Sequence, residues 1–215
     1  MRIAVVALGK IGLPLAVQFA DSGHEVIGVD VNPKAVEAVN FGIEPFPGEA
    51  HLQEKLSELV PAGRLRATTD YAEAIPGANA VVLVVPLFVN DATWEPDFAR
   101  MDAATKSLAE HLTPGTLVSY ETTLPVGTTR GRWKPMLEEI SGLTEGTDFH
   151  LVFSPERVLT GRYACEFGKS VSVDRSERHA GYFDLKLDRQ AWVMKPVVSS
   201  TGAVRLEDVK GNALL

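Results

Sequence analysis

The first thirty residues limit the fold more tightly than any other part of the chain. An apolar run, Ile3 to Val6, meets the turn Ala7-Leu8-Gly9-Lys10-Ile11-Gly12, and a helical apolar pattern then leads toward Asp30. A short unbroken apolar run before a glycine turn reads as a strand buried on both faces. Gly9 and Gly12 fill two places of the G-x-G-x-x-G fingerprint, and Pro14 is tolerated in a first helical turn. Gly23 ends the helix. Glu25 to Val29 then forms a second strand that delivers Asp30 roughly 20 positions beyond the turn, where a carboxylate accepts hydrogen bonds from the hydroxyls of an adenosine ribose.

The physics behind this spacing is specific. A pyrophosphate approaches the backbone closely only where no side chain intervenes, which is the use of Gly9, and helix-start N–H groups then face its charge. Gly12 lets the first helix pack tightly on its strand, and Asp30 repels the extra phosphate of NADP and so favours NAD. Ala7 is a departure, because it stands where the first glycine of the fingerprint belongs. A positive φ there strains it by about 1 kcal/mol, whereas a negative φ costs little. A tight strand-to-helix turn that binds no dinucleotide is the alternative reading of the glycine pattern alone.

Farther along, strand and helix patterns alternate, which favours a doubly wound, mostly parallel sheet with helices on both faces, the Rossmann-type α/β architecture. Asn32-Pro33 reads as a cap and first turn. Leu52, Leu56, Leu59 and Val60 share a helical face; Leu65 to Thr68 is a brief strand, Tyr71 to Ile75 a helical turn and Ala80 to Val85 a buried strand. A polar loop follows Pro86. Met101, Ala104, Leu108 and Leu112 mark a helix stopped by Thr113-Pro114-Gly115, and Thr116 to Tyr120 is the next strand. The helix with Trp133, Met136, Leu137 and Ile140 is expected to kink at Pro135, and Phe149 to Phe153 is a further strand.

Composition narrows the partners. With 215 residues and a formal charge of −7 the chain lacks the clustered Lys and Arg of an electrostatic nucleic-acid surface, and no nucleic-acid partner is expected. No apolar stretch reaches membrane-spanning length, so no membrane partner is expected either. The single cysteine excludes an internal disulfide and fits a reducing, cytoplasmic setting. No metal site is expected.

In an open α/β sheet ligands collect beyond the carboxyl ends of the strands. Loops beginning at Ala7, Pro86, Glu121 and Ser154 leave such ends, so their residues should converge on one edge. The loop Glu121 to Thr129 offers hydroxyls that orient water or a substrate hydroxyl, although Thr128 or Thr129 also suits a helix cap. Ser154-Pro155-Glu156-Arg157 sets a carboxylate beside a cation just past a strand end, as a general base or substrate holder requires; a Glu156–Arg157 surface pair is the alternative.

Together these segments resemble the nucleotide-sugar 6-dehydrogenases, which oxidise UDP-sugars to uronic acids. The resemblance covers residues 1 to about 162. It runs through Leu8 to Ala16, Gly23-His24-Glu25-Val26 with Asp30, Val85-Pro86, Thr122-Thr123-Leu124-Pro125-Val126-Gly127-Thr128-Thr129 and Ser154-Pro155-Glu156-Arg157-Val158-Leu159-Thr160-Gly161-Arg162. The Pro-Glu-Arg form of the last motif is more similar to the branch acting on UDP-N-acetyl-D-mannosamine than to the UDP-glucose branch. The resemblance implies oxidation at the sugar C6, alcohol to aldehyde to carboxylate, with NAD as hydride acceptor and a cysteine thiol that captures the aldehyde. It implies that Gly9, Ile11, Gly12 and Asp30 hold NAD, with Pro86 and Thr123 near the nicotinamide half. It further implies that Thr123 positions a catalytic water, that Glu156 is the base that hydrolyses the thioester, and that Glu156, Arg157, Val158 and Leu159 line the sugar. A non-catalytic module binding NAD or a nucleotide sugar, a UDP-glucose 6-dehydrogenase and a β-hydroxyacid-type dehydrogenase stay open beside this reading.

Departures matter as much. The family's Val-Pro-Thr-Pro segment is here Val85-Pro86-Leu87-Phe88, which loses a hydroxyl. After Arg162 the family's long central helix, with its lysine and asparagine, has no counterpart, and Tyr163-Ala164-Cys165-Glu166-Phe167 does not match the family's Cys-x-Pro-x-Asp nucleophile segment. Cys165 therefore reads as an incidental thiol. Residues 1–160 are expected to form the NAD-binding domain. Residues 161–215 are expected to be an irregular tail, poorly ordered and produced by truncation or a shifted frame. Family members form homodimers through the central helix, and its loss speaks against a stable dimer here.

Overall fold

The computed structural model describes residues 1–155 in full and, beyond them, the backbone of four short strands. Those strands pair antiparallel as Val171–Val173 with Phe183–Leu185 and Lys195–Val198 with Val204–Glu207. The expected division at residue 160, and the expected disorder of 161–215 apart from these strands, lie outside the described residues.

The core is a six-stranded sheet built from β1 (Arg2–Val6), β2 (Glu25–Val29), β3 (Leu65–Thr68), β4 (Ala80–Leu83), β7 (Leu117–Tyr120) and β8 (His150–Phe153). The order across it is β3-β2-β1-β4-β7-β8, and every pair is parallel, so the expected mostly parallel Rossmann-type sheet is present. β1 is paired on both sides, with Val6 beside Val29 in β2 and beside Leu83 in β4. Its side chains alternate between two cores: Ile3 and Val5 face one and Ala4 and Val6 the other. A strand buried on both faces needs apolar residues at every position, which is why Ile3 to Val6 forms an unbroken run.

Helices cover both faces. α1 (Gly12–Asp21) and α3 (Leu52–Leu59) pack on the Ile3 face through residues such as Leu13, Phe19, Leu52 and Leu56. α1 ends as its sequence foretells, with Gly23 at φ +89° and the His24 N–H donating to the Phe19 carbonyl. α2 (Pro33–Asn40) is capped by the Asn32 side chain, which accepts from the Lys34 N–H. α4 (Tyr71–Ala74), α5 (Ala99–Ala109) and α6 (Lys134–Ser141) serve the opposite face.

Three details differ from the sequence reading. Pro135 does not kink a helix; a turn of π-helix over Thr129–Trp133 ends where α6 begins, and Pro135 sits in the first turn of α6, the position that tolerates its missing N–H. The π turn lowers Trp133 into the core, whereas Ile140 remains 38% exposed. The loop after Pro86 holds a small hairpin, β5 (Phe88–Val89) with β6 (Pro96–Asp97), whose Phe88 and Val89 are exposed rather than polar.

Trp133 ties the second half of the sheet together. Its ring stacks on Tyr120 at 4.6 Å, meets Phe98 edge-on at 6.0 Å, and its Nε1–H donates to Asp102 at 2.9 Å. Asp102 also accepts from Arg132, at Nε and Nη2, so one carboxylate satisfies both a buried indole and a guanidinium. The Arg132 bonds, helped by that of Trp133 and opposed by burial, hold the Asp102 carboxyl below its usual range. Ionised Asp102 therefore stabilises the fold above the ordinary aspartate value, and the contribution is lost as pH falls through the lower folded-state value. Asp102→Ala should cost about 1–3 kcal/mol in urea unfolding at neutral pH and flatten the acid limb of the stability profile. An unchanged midpoint and acid limb would show that the network contributes nothing.

Candidate cofactor and substrate edge

A row of backbone hydrogen bonds levels the loops at the carboxyl end of the sheet. The first residue beyond a strand donates to the last residue of its neighbour: Asp30 to Thr68, Ala7 to Val29 and Ser154 to Tyr120 at 2.8–3.1 Å. Val84 to Val6 and Glu121 to Leu83, each 3.0 Å, complete the row. The loops expected to converge thus start side by side. β1 lies where the strand order reverses, the position at which a parallel sheet opens a crevice for ligands.

At that crevice Ala7 adopts φ +75°, so the positive-φ alternative holds and the alanine is strained. A Cβ on Gly12 would lie 1.9 Å from the Ala7 carbonyl oxygen and 3.6 Å from Val84 Cβ, so only glycine lets α1 start this close to both loops. A Cβ on Gly9 would meet nothing within 4 Å, so its backbone faces open space, as approach by a pyrophosphate demands. The Gly9 carbonyl accepts from the Leu13 N–H at 3.0 Å, which orients the first turn behind it. These residues fit a dinucleotide.

Asp30, half-buried, uses both carboxylate oxygens: Oδ2 accepts from the Leu8 N–H at 2.7 Å and Oδ1 from the Asn32 N–H at 2.8 Å. Each oxygen keeps a second lone pair for a ribose hydroxyl. Beside it stands Tyr71, whose hydroxyl is pushed up to about 12 by burial and then by the Asp30 charge, and so stays a donor at neutral pH. Leu8 turns inward over β2, where a Cβ on Gly28 would come within 2.6 Å of both its methyl groups. The signal for this contact in the sequence is Gly28 itself, since a glycine inside a strand marks a close approach.

On the other side of β1, Pro86 is exposed at the end of β4, and the Thr122 hydroxyl donates to the Val85 carbonyl at 2.7 Å. That bond joins the loops after β4 and β7, and Thr123, the next residue of the β7 loop, is exposed. The buried Ser119 donates to the Glu121 carboxylate at 2.7 Å. Neither threonine expected to cap a helix does so: the Thr128 hydroxyl donates back to the Pro125 carbonyl at 2.7 Å and Thr129 is buried within the π turn. Ser154 and Pro155 reach the same edge. Glu156, Arg157, Val158, Leu159 and Cys165 lie outside the described residues.

A cleft of about 200 Å³ between α1 and α3, closed on one side by the Lys55–Asp21 ion pair at 2.8 Å, contains none of the expected site residues. Among the described residues no helix is long and apolar enough to cross a membrane.

Comparison with known proteins decides the family. Residues 1–173 match the profile described as UDP-glucose/GDP-mannose dehydrogenase family, NAD binding domain. The chain belongs to this family. NAD is the cofactor of the domain matched. A UDP-N-acetyl-D-mannosamine dehydrogenase of Pyrococcus horikoshii is 38% identical over 164 residues, covering 75% of this chain and 38% of the relative. The solved structure of the P. horikoshii UDP-D-ManNAc dehydrogenase superposes with a TM-score of 0.72 at 35% identity, over 78% of this chain and 40% of that one. A ternary complex of GDP-mannose dehydrogenase from Pseudomonas aeruginosa gives 0.73 at 26% identity, over 78% and 39%. The chain thus spans about two-fifths of the length of these relatives.

Two substitutions test the turn. Ala7→Gly should raise stability by up to about 0.5 kcal/mol, the relief of left-handed strain less the entropy of glycine, read from the urea midpoint. Gly12→Ala should abolish NAD binding in calorimetry while the strands stay folded by circular dichroism; retained affinity would contradict the tight approach of α1 to Ala7.

Proposed function

We propose that this chain forms the NAD-binding half of a UDP-N-acetyl-D-mannosamine 6-dehydrogenase, oxidising the sugar C6 to the uronic acid. The observation that carries the reading is the Ala7–Gly12 turn: its open backbone at Gly9 and its closure against Ala7 at Gly12 lie on the same edge as Asp30, Pro86 and Thr122. The choice of sugar is supported by the name of the P. horikoshii relative and by the Ser154-Pro155-Glu156-Arg157 motif.

In this reading Gly9, Ile11 and Gly12 receive the pyrophosphate through the first turn of α1, and Asp30 accepts from the adenosine ribose and disfavours the phosphate of NADP. Pro86 and Thr123 flank the nicotinamide end. Bound NAD supplies the hydride acceptor. Thr123, exposed next to the anchored Thr122, orients the water of the hydrolytic step; Glu156 removes its proton, and Arg157, Val158 and Leu159 contact the sugar. A cytoplasmic enzyme fits this substrate class. A homodimer belongs to the family's central helix and is not part of the proposal.

The second reading is a non-catalytic module for NAD or a nucleotide sugar, favoured by Cys165, whose neighbours do not form the family's nucleophile segment. NADH absorbance with UDP-N-acetyl-D-mannosamine and with UDP-glucose, beside calorimetric NAD titration, separates the two. Turnover faster on the N-acetylated sugar, once a catalytic half of the family is added to supply the thiol, is the expected result. NAD binding without turnover selects the module, and no NAD binding, with Asp30→Ala changing nothing, contradicts both.

A further inference from the structure

The strained residue of the turn is held between two hydrogen bonds to consecutive residues of the β2 end. The Ala7 N–H donates to the Val29 carbonyl at 2.8 Å, and the next N–H, that of Leu8, donates to Asp30 Oδ2 at 2.7 Å. The carboxylate is itself fixed, since Oδ1 accepts from the Asn32 N–H and the Asp30 N–H donates to Thr68. The Leu8 side chain, 2% exposed, is seated against Gly28. An alanine at φ +75° relaxes unless its flanks are pinned, and a charged acceptor makes the stronger pin.

We infer that Asp30 is a positioning residue for the pyrophosphate turn, acting through the Leu8 N–H, in addition to any contact with the ribose, and that Ala7 makes the chain dependent on it. Adenosine recognition and phosphate recognition are then one device: the carboxylate that reads the ribose also sets the conformation in which Gly9 and Gly12 receive the phosphates. An exchange of Asp30 for a small neutral residue, the usual route toward NADP, damages the phosphate site of this chain unless Ala7 is also changed to glycine, which holds a positive φ unaided. The inference rests on the NAD-binding reading for its ligand arm only.

The test compares ADP with 2′,3′-dideoxy-ADP, which lacks the hydroxyls that Asp30 would accept from, alongside amide hydrogen exchange at Leu8 without ligand. Asp30→Ala should weaken both nucleotides, the dideoxy form by about tenfold, the loss expected of one charge-assisted bond. It should also speed Leu8 exchange by at least about tenfold, while Asp30→Asn, which keeps an acceptor oxygen, retains most of the Leu8 protection and of the dideoxy-ADP affinity. Ala7→Gly in the Asp30→Ala background should restore dideoxy-ADP binding several-fold. Loss of ADP affinity with dideoxy-ADP unchanged would assign Asp30 to the ribose alone and overturn the inference. Unchanged Leu8 exchange in Asp30→Ala would overturn it whether or not either nucleotide binds, and if Asp30→Ala does not fold, unchanged Leu8 exchange in Asp30→Leu, which keeps the bulk and has no acceptor oxygen, overturns it. Failure of the wild-type chain to bind ADP would instead count against the cofactor reading.

Discussion

The parallel pairing of β1 on both of its edges is the constraint from which the rest follows. Because β2 and β4 run alongside it in the same direction, the bond from Ala7 to Val29 and the bond from Val84 to Val6 set three loops level with one another. β3, β7 and β8 extend the same row outward. Chemistry-bearing residues from positions 7 to 155 in the sequence meet along one edge for this reason, and the apolar runs that build the strands are what make the pairing stable.

The turn after β1 carries the closest tolerances. Gly12 leaves no room for a methyl group against the Ala7 carbonyl, and Gly28 leaves none against Leu8. Ala7 is the one member that works against its own backbone preference, and it is pinned on both sides by acceptors from the end of β2. On the far side of β1 the burial is of another kind: a stacked Tyr120–Trp133 pair and the Asp102 carboxylate hold the β7 end, from which the Thr122 and Thr123 loop departs.

Much of this is legible in the sequence, and the reasons are physical. Strands buried on both faces announce themselves as unbroken apolar runs, so β1 falls where Ile3 to Val6 places it and β2 where Val26 to Val29 does, whereas the edge strand β3, with Arg66 in its run, falls at Leu65 to Thr68 on a weaker alternation. The β5–β6 hairpin does not, since two-residue strands with exposed Phe88 and Val89 have no period to detect. Trp133, Met136 and Leu137 suit either helical register, and spacing alone does not distinguish a π turn followed by a new helix from a kinked one. The fingerprint located Gly9, Gly12 and Asp30, but the sign of φ at Ala7 and the bond from Leu8 to Asp30 depend on how two strand ends meet. Thr122, whose hydroxyl bridges two loops, was hidden inside a motif in which Thr123 drew the chemistry.

The most direct measurement is a titration of the isotopically labelled chain with NAD, followed by amide chemical shifts residue by residue. The expected result is a saturable set of shifts at Ala7 to Gly12, Asp30 to Asn32, Val85 and Leu87, and Glu121 to Thr123, with the α1–α3 cleft around Asp21, His51 and Lys55 unaffected. Shifts confined to that cleft, or none at saturating NAD, would contradict a cofactor site at the carboxyl edge of β1.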